Sequence, residues 1–221
     1  MPLAPEIQAL VEGMAQDPDA KPTHEQSPDE ARQGYVALAQ LFGPGEEVAA
    51  VEDRTLPGPA GPIPIRVYRP DGDAPFPIVV FYHGGGWTIG DLDTHDRECR
   101  ALANGGRALV VSVDYRLGPE HRYPAAVDDA FAALQWVGQH GPELGGDPAR
   151  IAVAGDSAGG NLSAVVALRA RDAGGPGLRA QLLVYPAVDM REEAHETYPS
   201  RKENAAGPCL LTESMDYFAA H

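Results

Sequence analysis

Residues 155–159 read Gly-Asp-Ser-Ala-Gly, with Ser157 between two glycines at a spacing of two on each side. A serine in this pattern can act as a nucleophile when it sits on a tight turn between a strand and a helix, which lifts its Oγ above the sheet edge. The flanking residues supply that context: Ile151-Ala152-Val153-Ala154 is a short apolar run, and Leu162, Val165 and Leu168 follow at helical spacing. Glycines at 155 and 159 leave room where side chains would clash. A helix N-terminus behind Ser157 favours negative charge developing there. Upstream, His83-Gly84-Gly85-Gly86-Trp87 directly follows another apolar run. Consecutive glycines let backbone N–H groups approach a ligand closely. An oxyanion hole needs this, together with the N–H of the residue after the nucleophile, here Ala158; each such donor is worth about 3 kcal/mol of transition-state stabilisation.

A nucleophilic serine needs a base, and only His195 and His221 follow Ser157. The order Ser157, Asp189, His195 formally satisfies serine–acid–histidine. In the alternative, Asp189 caps a turn and His195 is a solvated loop residue between acidic neighbours. His83 precedes the glycines and is expected to brace their loop by hydrogen bonds; service as the base is its alternative role. Asp156 is expected to shape the turn around Ser157, and Trp87 to wall a substrate pocket or to join the core. His95 and His121 have no second ligand at metal spacing, so no metal is expected.

The elements that must position these residues are legible as texture. Ile7, Leu10, Val11 and Met14 recur at helical spacing. Ser27-Pro28-Asp29-Glu30 is a capping box that opens a second helix, carrying Ala31, Tyr35, Leu38 and Phe42 and ending at Gly43-Pro44-Gly45. Residues 48–55 and 63–68 alternate like an outer antiparallel pair. The continuous apolar runs at 78–82, 108–111, 151–154 and 182–185 predict parallel strands buried on both faces. Helices are predicted from Pro124 to Gly141 and from Ser157 to Gly174. A last helical stripe, Leu211, Met215 and Phe218, follows Thr212 as N-cap. The alternation of strand and helix predicts an α/β fold: a mostly parallel sheet flanked by helices, with a helical region at 1–47, a core at 48–188 and a further segment at 189–221.

Composition excludes several functions. The 221 residues carry a net charge of −15, so nucleic acid and anionic lipid are poor partners. The amino terminus has no basic start and no long apolar run, and no stretch approaches the roughly 18 apolar residues of a membrane span. Cys99 and Cys209 are too few for a disulfide framework. A reduced, cytoplasmic setting is expected.

His83-Gly84-Gly85-Gly86-Trp87, the block Asp114-Tyr115-Arg116-Leu117-Gly118-Pro119-Glu120-His121-Arg122-Tyr123-Pro124 and the Gly155–Asn161 turn carry a family resemblance, together with Tyr185-Pro186-Ala187-Val188-Asp189. In this order the chain resembles the hormone-sensitive-lipase branch of the α/β-hydrolases, the bacterial family IV esterases, over nearly its whole length. The resemblance implies Ser157 as nucleophile, with Gly84, Gly85 and Ala158 as oxyanion-hole donors. It implies hydrolysis of short- to medium-chain carboxylic esters through an acyl-enzyme, with no cofactor and no metal. Gly86 and His83 would support the loop, and residues 1–47 and 189–221 would belong to a cap. Asp114, Arg116, Glu120 and Arg122 are expected to pin the loop after their strand through ion pairs. In that family the acid and histidine follow two further strands, so both are expected beyond residue 221, the last strands of the fold are expected to be absent, and 1–221 alone is expected to be inactive or very weak. A sheet cut there exposes a strand edge, which predicts poor solubility or a homodimer. The alternative is a catalytically inactive small-molecule binding protein of the same fold.

Overall fold

The computed structural model of the protein describes residues 4–14, 21–191, 193–207 and 210–221. Cys209 and the first part of the break expected at 17–28, residues 17–20, lie outside them. Strands β1 (Ala50–Gly58) and β2 (Gly61–Arg69) form an antiparallel hairpin. β3 (Phe76–Tyr82), β4 (Leu109–Val113), β5 (Gly146–Asp156) and β6 (Leu178–Val184) then run parallel to one another. The sheet has six strands in the order β1-β2-β4-β3-β5-β6, and β2 meets β4 antiparallel.

Helices α1 (Pro5–Met14) and α2 (Pro28–Leu41) precede the sheet, and α3 (Asp96–Gly106), α4 (Ala125–His140) and α5 (Ser157–Asp172) flank it. The period-two alternation of the strands separates two cores. On one face Ile78, Val80 and Tyr82 of β3 pack with Leu134 and Val137 of α4 and Leu162 and Val166 of α5. On the other face Phe81 packs with Cys99 and Ala103 of α3. After β6 come three short helices, α6 (Ala194–Thr197), α7 (Pro199–Glu203) and α8 (Thr212–Ala220). Among the described residues no helix is long and apolar enough to cross a membrane.

The capping box forms as the sequence predicts: Glu30 N–H donates to Ser27 Oγ at 3.3 Å, and Ser27 N–H to Glu30 Oε2 at 2.8 Å. Three expectations need correcting. Helix α3 has no counterpart in the sequence reading, because its charged surface and Asn-Gly-Gly end hide the few residues it buries, Cys99 and Ala103. Thr212 is the first residue of α8, with Leu211 at the N-cap and no side-chain cap bond. β6, expected to be buried on both faces, is an edge strand, and its Leu182 and Val184 are exposed because no described element covers them.

Candidate active site

β5 ends at Asp156 and α5 begins at Ser157, whose φ of +51° lies in the left-handed region. A non-glycine residue held there is strained, and such strain persists only where the surroundings over-determine the turn. The two glycines explain how the turn closes. A Cβ at Gly159 would fall on the Tyr82 carbonyl of β3, and one at Gly155 on the Gly159 backbone and the same carbonyl. Ser157 itself is half-buried, and its carbonyl accepts from Ala187 N–H at 3.1 Å. Asn161, one turn on, donates to Ala187 O at 2.8 Å, so the segment after β6 is tied to the start of α5. No described residue makes a hydrogen bond with Ser157 Oγ.

The glycine loop faces this turn. Gly85, Gly86 and Trp87 all have positive φ, and the Gly85 carbonyl accepts from the N–H groups of Thr88 and Ile89 at 3.0 and 2.9 Å. Gly84 departs from expectation. Its N–H donates to Asp156 Oδ1 at 2.9 Å, so it is committed to the carboxylate beside the nucleophile and is not free to meet an oxyanion. Among the described residues no acceptor engages the N–H groups of Gly85, Gly86 or Ala158.

His83 is fully buried and stacks on Tyr115 at 4.3 Å. Its Nδ1 lies 2.7 Å from Gly84 O, and its backbone carbonyl accepts from Tyr115 Oη at 2.7 Å. Burial pushes its pKa down to about 4, so the ring is neutral and Nδ1–H is the donor to Gly84 O. Nε2 has no partner. The ring therefore holds the loop's backbone and makes no bond to Ser157. Asp156 bonds His95 Nε2 at 3.3 Å as well as Gly84 N–H. Burial alone would raise its pKa, but the hydrogen bond and charge of His95 and the Gly84 N–H hold it below the usual carboxylate range.

The local alternative triad does not assemble among the described residues. The carboxylate of Asp189 accepts from Arg191 Nε and Nη2 at 2.9 and 2.8 Å and from Tyr198 Oη at 3.3 Å. Arg191 holds its pKa far below the usual range. His195 falls in α6, and its side chain lies outside the described residues. His221 Nδ1 is 2.7 Å from Tyr217 O.

At Asn161, one turn along α5 from Ser157, opens a cavity of about 430 Å³, walled by Trp87, Asn161, Val165, Met190, Phe218 and His221. Phe218 of α8 stands over Gly86, where any β-carbon would strike its ring. Of the family block, Arg116 pairs with Asp129 at 2.8 Å and Glu120 with Arg32 at 2.7 Å, whereas Asp114 is held through its backbone N–H on Pro64 O. Arg122 lines the cavity and has no ion pair among the described residues. His95 is the residue that sequence reasoning missed. Weighed only as a metal ligand, it is a neighbour of the nucleophile turn, and only the long-range pairing of the loop with Asp156 reveals it.

A serine on a strained strand–helix turn, facing unengaged N–H groups across the end of a parallel sheet, is an arrangement that can carry nucleophilic chemistry. Residues 79–221 match the model of a family with the alpha/beta hydrolase fold. Carboxylesterase NlhH of Mycobacterium tuberculosis is 55% identical over 188 residues, covering 83% of this chain and 57% of that protein. Esterase LipI of the same organism is 52% identical over 172 residues, covering 76% of this chain and 52% of that protein. The solved hyperthermophilic esterase from the archaeon Pyrobaculum calidifontis superposes with a TM-score of 0.92 at 41% identity, over 100% of this chain and 70% of that one. The chain thus spans little more than half the length of those two curated relatives. It belongs to the α/β-hydrolase family, in the hormone-sensitive-lipase-like branch that its motifs resemble.

Proposed function

We propose that the protein is a carboxylic ester hydrolase acting on short- to medium-chain acyl esters through a Ser157 acyl-enzyme. The single observation that carries this reading is the juxtaposition of Ser157, strained and unengaged at its Oγ, with the N–H groups of Gly85, Gly86 and Ala158. In this mechanism Ser157 Oγ adds to the ester carbonyl and passes its proton to a histidine base. The three N–H groups receive the oxyanion. The alcohol departs with the proton returned by the imidazolium, leaving an acyl-serine. Water, deprotonated by the same histidine, adds to the acyl carbon and releases the acid. Gly86 takes the place first expected of Gly84, since Gly84 N–H is bonded to Asp156. The cavity beside Asn161 receives the organic part of the substrate, with Trp87 and Phe218 as its aromatic walls. We place the base and its acid partner, as the family resemblance implies, after two strands further along than β6.

The test is hydrolysis of p-nitrophenyl butyrate by the full gene product and by its Ser157→Ala variant. Loss of the base from such a site costs on the order of 10⁶ in kcat, so residues 1–221 alone should run near background. Turnover by the full product that survives Ser157→Ala would overturn the proposal. One observation favours the second reading, a non-catalytic binding protein: no described histidine bonds Ser157 Oγ. Absence of any turnover combined with ester binding would select it.

A further inference from the structure

The loop from Gly84 to His95 closes on the residue before the nucleophile through a buried polar chain that the mechanism above does not use. His95 is 4% exposed. It sits at the N-cap of α3, yet its side chain caps nothing. Instead, Nε2 lies 3.3 Å from Asp156 Oδ1 and Nδ1 lies 2.9 Å from Thr94 Oγ1. Thr94 is itself held: Asp91 N–H donates to its Oγ1 at 2.9 Å, and Asp91 Oδ1 accepts from Thr94 N–H at 2.8 Å. An ionised carboxylate only accepts hydrogen bonds, so the His95–Asp156 contact is a hydrogen bond in the tautomer that carries its proton on Nε2. Gly84 N–H lies 3.3 Å from Nε2 and 2.9 Å from Asp156 Oδ1. Two donors, one from each end of the loop, converge on that carboxylate.

The consequence is geometric. Asp156 precedes Ser157, and Ser157 precedes the donor Ala158; Gly84 precedes the donors Gly85 and Gly86. The bond from Gly84 to Asp156 therefore sets the separation between the two halves of the oxyanion hole. Without a partner, a carboxylate this buried would turn toward water or take up a proton, and would loosen its hold on Gly84. We propose that His95 is a positioning residue for ester hydrolysis: through Asp156 it holds Gly84, and with it the Gly85 and Gly86 N–H groups, at the distance from Ala158 that the tetrahedral oxyanion requires. His95 touches no substrate and transfers no proton to it. The inference rests on the proposed ester hydrolysis.

The test compares His95→Gln with His95→Leu in the full gene product. The glutamine Nε2 can still donate to Asp156; leucine fills similar space and cannot. Displacement of a catalytic group by about 1 Å costs roughly 100-fold in rate. His95→Leu should therefore lose about that factor in kcat with KM within about twofold of the parent, and His95→Gln should recover most of it. Equal losses in the two variants, or a His95→Leu kcat within about twofold of the parent, overturn the proposal. Amide hydrogen exchange at Gly84, the bonded N–H of the loop, reads the same tether without turnover. Exchange at Gly84, whose N–H is bonded to Asp156, should quicken in His95→Leu and stay near the parent in His95→Gln, and unchanged exchange at Gly84 in His95→Leu overturns the proposal. Should the parent show no Ser157-dependent turnover, the ester-hydrolase reading fails, and the exchange comparison decides the tether by itself.

Discussion

At the scale of single residues, the site is held by groups that have no freedom to change. Gly159 is the clearest. A methyl group there meets the Tyr82 carbonyl, which is main chain of a buried central strand and cannot rotate aside. Gly159→Ala should cost at least the ~1–3 kcal/mol of an overpacked core, read as a lower urea midpoint. Hydrolysis should fall further than stability does, because the strain sits two residues from the nucleophile. Arg116 is a second case. Asp129 is 1% exposed, and its carboxylate accepts from Arg116 Nε and Nη2, each at 2.8 Å. Arg116→Met would leave that carboxylate buried with only the Arg116 backbone N–H, and should cost about 3 kcal/mol or more. The double change Arg116→Met with Asp129→Leu should cost less than Arg116→Met alone, because the unpaired charge is gone. A double variant less stable than the single one would mean that the pair's packing, not its charge, holds the loop to α4.

At the scale of elements, what the sequence shows clearly is what repeats. β3, β4 and β5 stand out because burial on both faces makes them unbroken apolar runs, and α4 and α5 because their apolar stripes keep helical spacing to a glycine stop. The Ser157 turn is legible for the same reason: its glycines are fixed by one close approach to β3. Helix α3 is not legible, because it buries a narrow stripe under a charged surface. With α3 the role of His95 is hidden too, since its partner Asp156 lies 61 positions further along the chain. Which glycine N–H stays free is equally hidden: Gly84 and Gly85 look alike until one is seen bonded to Asp156. β6 differs from its expected burial because an apolar strand reads the same whether its neighbours are present or not. Its exposed Leu182 and Val184 make an edge open to pairing. Residues 1–221 should therefore self-associate at micromolar concentration, and Leu182→Lys with Val184→Lys should shift sedimentation toward monomer. A chain that is already monomeric before substitution would show that the edge is protected.

For the whole molecule, two groups, the buried His83 and the half-buried Asp114, contribute to acid stability in opposite directions. His83 is buried neutral and its pKa is pushed down to about 4 by burial and then by His95. Against an unfolded value near 6.5, the unfolded chain binds more protons between pH 6.5 and 4, so this group's contribution is lost as pH falls through that window, by on the order of 3 kcal/mol. Asp114 is raised to about 6, by burial first and then by the charges of Asp91 and Asp93. There the folded chain binds more protons between about pH 6 and 4, so stability is gained as pH falls, by on the order of 3 kcal/mol. The two slopes largely cancel. Asp114→Asn removes only the second. The variant should be more stable than the parent at pH 7, by on the order of 3 kcal/mol, and the advantage should shrink to nothing near pH 4. Its own stability should fall more steeply with acid than the parent's, because the His83 slope is then unopposed. Urea midpoints of both proteins at pH 7, 5.5 and 4 measure this. A constant difference across the three would mean that Asp114 is already ionised without cost in the fold, and that acid sensitivity arises elsewhere.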